Sequence, residues 1–164
     1  MAVLTILTAP NEKLKIAAQE VKNIDSVQTL IDDMLDTMYD TEDGIGLAAT
    51  QVGRSEAIVV IDISELRDTP LILINPSVVH GENKEMGSEG CLSVPGYRAE
   101  VERFTSVKVE AQDRNGVDIC IESDEFLAIV MQHEIDHLKG KLFIDYLSPL
   151  KKGIALKKVK KFIS

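Results

Sequence analysis

The chain has 164 residues, 45% of them hydrophobic and 27% charged, as expected of one soluble domain with a real core. Its net charge of -9 argues against general nucleic-acid binding, and no apolar run approaches a membrane span. Two cysteines are too few for a disulfide framework, and "MAVLTILTAPNEK" has no basic region ahead of its short apolar stretch; both favour a cytoplasmic protein.

From Ser26 to about Thr41, apolar residues at Val27, Leu30, Ile31, Met34, Leu35 and Met38 predict a helix with one buried stripe, Ser26 being the N-cap. "GIGLAATQ" (residues 44–51) follows. Gly44 and Gly46 partly match a dinucleotide fingerprint, but that motif needs a strand before it, and here a helix precedes. Too few residues separate the loop from the next strand for a crossover helix. Paired glycines instead permit close backbone approach, and an extended peptide could add to the loop as a strand. Gln51 then offers an amide donor to a developing oxyanion, or is simply a surface amide.

"AIVVIDI" (57–63) and "LILIN" (71–75) predict short buried strands, the second punctuated by Pro70 and Pro76. "VVHGEN" around His80 reads as a turn. Cys91 lies in "EGCLSVPG", a constrained loop with no apolar periodicity. "SVKVEAQDRNGVDICIE" predicts a hairpin with a tight turn at Asn115-Gly116, with Cys120 opposite the Val117, Ile119 and Ile121 face.

Phe126–Leu138 predicts a second helix, capped by Ser123 or Asp124. It carries "QHEIDHLKG", in which His133 and His137 stand four residues apart on one face. Two imidazoles so placed can grip one metal ion, and Glu134 can handle protons beside it. A catalytic site of this type needs a third protein ligand. The longer H-E-x-x-H-x-x-G-x-x-H pattern fails, because Phe143 occupies its last position. His80 reads as a surface histidine, Cys120 as an incidental thiol, and Asp145 would have to fold straight back. Cys91 is the expected third ligand. Two imidazoles and a thiolate suit zinc by ligand type. Phe126, Ile129 and Val130 precede His133 on its face; they pack the core and could wall an apolar pocket suited to an unbranched side chain.

Leu150–Phe162 predicts a third helix. Beyond Asp145 there are no acids and six lysines, which leaves 12 of the 18 Lys and Arg to the rest of the chain. From charge alone this tail is a solvated basic helix. Strands cluster between helices without regular alternation, so the expected fold is α+β. Antiparallel or mixed sheets would pack around a central metal-binding helix, with a long helix in the N-terminal half and a C-terminal helix. Residues 1–164 read as one catalytic domain, with 150–164 as its basic helix.

"GIGLAATQ", "EGCLS" and "QHEIDHLKG", in that order, resemble the motifs of the peptide deformylases, which remove the formyl group from nascent bacterial polypeptides. The resemblance spans essentially the whole chain and is closest to the bacterial type with a C-terminal helix. It implies that Cys91, His133 and His137 bind one divalent metal, ferrous iron in the cell, replaceable by zinc, nickel or cobalt. It implies that Glu134 takes a proton from the attacking water and delivers it to the leaving amine. Gln51 and the Leu92 backbone N–H would hold the oxyanion. Ile45, Gly46 and Arg98 would meet the peptide, and the methionine side chain would enter the pocket by Phe126, Ile129 and Val130. Gly87 falls near the pocket rim, where related enzymes carry a bulkier residue. The resemblance also implies ribosome contact through the basic helix. Three rival readings are a metalloendopeptidase using the same helix, a zinc module with a fourth protein ligand, and a hydrolase with Cys91 as nucleophile.

Overall fold

The computed structural model describes residues 2–164. In chain order they form α1 (Gln28–Asp40), β1 (Gly46–Ala48), β2 (Ile58–Ile61), β3 (Leu71–Cys91), β4 (Val94–Gln112), β5 (Asp118–Ser123), α2 (Phe126–Leu138) and α3 (Pro149–Ile163). The strands make one sheet in the order β1-β2-β3-β4-β5, and each neighbouring pair is antiparallel. The class is α+β as expected, with a single antiparallel sheet in place of several or mixed ones. No helix among the described residues is long and apolar enough to cross a membrane.

The helices take opposite faces of the sheet. Ile58, Val60 and Ile74 pack with Leu30, Ile31, Met34 and Met38 of α1. Val59, Ile61 and Leu73, one residue out of phase, pack with Ala128, Met131, Ile135 and Leu138 of α2. Burial on both faces explains why β2 is a continuous apolar run. Each buried Ile or Val there contributes about 1.5–3 kcal/mol. A third cluster holds Ala155 and Val159 of α3 against Val94 and Val101 of β4 and against Phe143 and Ile144.

β3 and β4 are far longer than expected, at 21 and 19 residues. Pro76 does not end β3; the register shifts between Ile74 and Ser77, so the proline sits where the ladder is interrupted and no N–H is needed. His80 is therefore on a strand and not in a turn, exposed and 3.1 Å from Glu82. Cys91 ends β3 opposite Val94, so the expected constrained loop is the head of a hairpin, with only Leu92 and Ser93 between the strands.

Other boundaries moved for local reasons. Asn23 accepts from the Asp25 N–H and opens a 3-10 turn over Ile24–Val27, which places Ser26 ahead of α1 and makes Val27 its N-cap. α2 has the expected bounds, but Glu125 precedes it directly and Ser123 only accepts from the Glu125 N–H at 3.2 Å. The Asn115-Gly116 turn is wider than two residues, because the Asp113 carboxylate accepts from the N–H groups of Asn115 and Val117 at 2.8 and 3.0 Å. Ser148 caps α3, which starts at Pro149.

The chain leaves α2 through Gly140 at φ +79, two residues past its end, with the Lys139 and Lys141 N–H groups both on the Asp136 carbonyl. A Cβ at Gly140 would lie 2.4 Å from the Lys15 carbonyl oxygen. The glycine of "QHEIDHLKG" is thus a helix stop against the N-terminal segment. Gly140→Ala should destabilise the fold by at least about 2 kcal/mol, from positive φ plus a backbone clash, seen as a lower urea midpoint at unchanged slope.

Candidate metal centre and cavity

α2 and the head of the β3–β4 hairpin bring three donors together. Cys91 Sγ lies 3.3 Å from His137 Nε2, and the two Nε2 atoms are 3.2 Å apart. All three donor atoms lie within 4.8 Å of one another. His80, Cys120 and Asp145 are not part of this cluster. Asp145 accepts from the Leu142 N–H at 2.9 Å and pairs with Lys152 at 2.6 Å, and Cys120 is exposed on β5. The residues fit a divalent ion. They offer a thiol and two imidazoles, and the orientation of His133 is already set from behind.

That orientation comes from an ionic group that sequence reasoning missed. Glu89 accepts from Arg103 through both carboxylate oxygens, at 2.8 and 2.9 Å. Its Oε1 also lies 2.8 Å from His133 Nδ1, which leaves Nε2 toward the other donors. Arg103 donates its third nitrogen to Asp136 at 2.5 Å, and Asp136 also accepts from the Tyr146 hydroxyl at 2.7 Å. Burial alone would raise the Glu89 pKa, but the Arg103 and His133 bonds outweigh it and hold the carboxyl down at about 2. The hint in the sequence was that Glu89 opens the "EGCLS" motif, two residues before Cys91.

The histidines have opposite electrostatics. Burial disfavours a charged His133, yet the bonds to Cys91 and Glu89 push its pKa well above the usual value. Burial, and then the charges of His133 and Arg103, push His137 well below, so it stays a neutral imidazole. Its Nδ1 has no hydrogen-bond partner among the described residues, while its carbonyl accepts from Thr50 Oγ1 at 3.0 Å. Gln132 locks the helix in place: its side chain accepts from the Phe104 N–H at 2.9 Å and donates to the Phe104 carbonyl at 2.8 Å.

Glu134 is also buried, and its Oε1 has no partner among the described residues. Burial raises its pKa to about 7, with His133 opposing and Glu89 assisting. A carboxyl poised there suits proton transfer near neutrality. The glycine loop makes room for it: a Cβ at Gly46 would lie 2.5 Å from Glu134 Oε2.

A cavity of about 820 Å³ opens onto Cys91, His133 and Glu134. Ile45, Gly46, Leu92, Arg98, Phe126, Ile129 and Val130 all line it, so the structure gathers nearly every residue singled out from the sequence. Gln51 does not line it. The amide is buried, with Nε2 donating to Ser93 Oγ at 3.0 Å and Cys91 Sγ at 3.5 Å, and its oxygen accepting from the Ala48 N–H at 2.9 Å. The surface-amide reading of Gln51 is therefore wrong. Arg98 is held at the rim by the Ser88 carbonyl and hydroxyl, each at 3.2 Å. Gly87 comes one residue before Ser88 on β3, with no atom within 4 Å of where a Cβ would stand.

Residues 3–153 match the model of the polypeptide deformylase family. A curated relative, peptide deformylase 1 of Vibrio vulnificus, is 69% identical over 161 residues, covering 98% of this chain and 96% of that protein. The crystal structure of a peptide deformylase from Legionella pneumophila superposes with a TM-score of 0.93 at 46% identity, covering 98% of this chain and 95% of that one. The peptide deformylase from Ehrlichia chaffeensis, solved in complex with actinonin, gives 0.93 at 40% identity, covering 99% and 98%.

Glu89 sets an acid limit on stability. Its folded pKa lies below the unfolded value, so its contribution is fully present above about pH 4.5 and is lost as pH falls toward 2. Glu89→Gln should cost roughly 3 kcal/mol at neutral pH and flatten the dependence of stability on pH across that window, measured by urea unfolding at a series of pH values.

Proposed function

The chain belongs to the polypeptide deformylase family, and from that premise we propose how its own side chains divide the work. The reaction is hydrolysis of the N-formyl group from the terminal methionine of a newly made polypeptide, releasing formate and a free amine. Family membership sets aside the metalloendopeptidase, zinc-module and cysteine-nucleophile readings.

In the proposed arrangement Cys91, His133 and His137 hold one divalent ion. Ferrous iron fills that role in the cell, with zinc, nickel or cobalt able to replace it. An ion held there supplies Lewis acidity that polarises a carbonyl and acidifies a water. The observation that carries the mechanism is the buried carboxylate of Glu134, whose Oε1 has no partner among the described residues, facing the cavity beside the donors. Glu134 takes the proton of the attacking water and returns it to the departing amine. The Leu92 N–H and the Gln51 amide stabilise the oxyanion. Gln51 can do so by giving up its long contact to Cys91 Sγ while keeping Ser93. Ile45 and Gly46 meet the peptide backbone and Arg98 its more distal part. The methionine side chain lies among Phe126, Ile129 and Val130, an apolar wall that suits an unbranched thioether.

Residues 1–164 act as one catalytic domain in the cytoplasm, a placement supported by two unpaired cysteines. The lysines of α3 support ribosome contact, which should weaken with salt and disappear when residues 150–164 are deleted.

The first test is formate release from a short formyl-Met peptide by protein purified without oxygen, with metal content measured on the same sample. About one metal per chain and loss of turnover to a chelator are expected. Glu134→Ala should keep the metal and lose turnover by at least about a hundredfold, since only proton transfer is removed. Cys91→Ser should weaken or exchange the metal, read by elemental analysis.

A further inference from the structure

We propose that Phe162, in the last turn of α3, is a specificity-determining contact for the peptide downstream of the formyl-methionine. This deepens the deformylase reading and rests on it. Ala155 and Val159 form the buried stripe of α3, and Phe162 continues it three residues later. Its position therefore faces the sheet, yet the side chain is 65% exposed. The large apolar ring is left without full cover on the face that should be covered.

What the ring overhangs is the cavity. Phe162 lines it together with Pro95, Gly96 and Tyr97 of β4. A Cβ at Gly96, which sits at φ +82, would lie 3.0 Å from the Phe162 ring, so the glycine lets the ring close down on the strand. Lys158 stands 5.6 Å over the Tyr97 ring and ties the same turn of α3 to the same strand. The C-terminal helix thus forms part of the cavity wall.

The location selects the part of the substrate. Cys91 pairs with Val94, and Gly96 is two residues further along β4. The register shifts between that pair and Glu89–Ala99, so residues 95–98 bulge from the ladder, and a strand spacing plus that bulge put Gly96 and the ring over it on the order of 10 Å from the hairpin head. An extended peptide covers that distance in about three residues. The methionine pocket, by Phe126, Ile129 and Val130, is on α2. Phe162 therefore meets the third or fourth residue of the chain being processed, and an apolar or aromatic side chain there would cover the ring.

The test compares a formyl-Met-Ala dipeptide with a formyl-Met-Ala-Leu-Phe tetrapeptide on the full chain. Phe162→Ala should raise KM for the tetrapeptide about fivefold, the value of one partly covered aromatic contact, and leave kcat and the dipeptide unchanged. Equal effects on both peptides, or none, would overturn the proposal. The chain has no tryptophan, so Phe162→Trp supplies a single tryptophan at the rim, which can be excited apart from the tyrosines. Its emission should shift on binding the tetrapeptide and not the dipeptide, and formate release without any such shift would also sink the idea. Failure of the wild-type chain to release formate from either peptide would instead count against the deformylase reading.

Discussion

Arg103 is the residue on which the rest of the structure turns. It is 6% exposed, and its charge is balanced by Glu89 on β3 and Asp136 on α2. A buried guanidinium is tolerable only with such partners, and removing one carboxylate leaves an uncompensated charge in a dry site. The same carboxylates have other duties. Glu89 fixes the ring of His133, and Asp136 receives the Tyr146 hydroxyl while its backbone carbonyl closes the end of α2. One charge therefore locks the hairpin to the helix and aims an imidazole.

α2 is used on every side. Ile135 and Leu138 enter the core beneath the sheet, Gln132 bonds to the backbone of β4, and Asp136 meets Arg103. His133, Glu134 and His137 occupy the side that remains. Glu134 is where the fold accepts a cost: a buried carboxylate oxygen without a partner among the described residues, kept close to the glycine loop by the missing Cβ of Gly46. The local rule of polar satisfaction is broken here, and the surrounding ionic and apolar contacts offset the loss.

The cavity joins this centre to α3. Its inner wall is the α2 face and the glycine loop, and its outer wall includes Arg98, Tyr97 and Phe162. α3 thereby has two unlike surfaces. Ala155 and Val159 are buried, while Lys151, Lys157, Lys160 and Lys161 are exposed. A helix so divided can face a peptide on one side and an anionic partner on the other.

Much of this was legible from residue order. Helical periodicity placed α2 at its observed bounds, because apolar spacing along one helix is a local property. The donor pair follows from the same geometry, and elimination among a few Cys, His and Asp residues was enough to reach Cys91. Lengths of β3 and β4 were not legible, because Pro76 and Gly90, which ordinarily end a strand, sit at register shifts, and Gly81 and Gly87 are carried through by pairing with Val107 and Val101, all of it set by the partner strand. Nor were Glu89, Arg103, Asp136 and Tyr146, whose charges and hydroxyl resemble solvated surface groups until distant segments bury them together. The sequence by itself determined the long helices, the histidine pair and the acid beside it, since each depends on neighbours within a turn. Only the tertiary structure decided which charges are buried, how His133 is aimed and which walls enclose the cavity, since those depend on residues brought together from far apart in the chain.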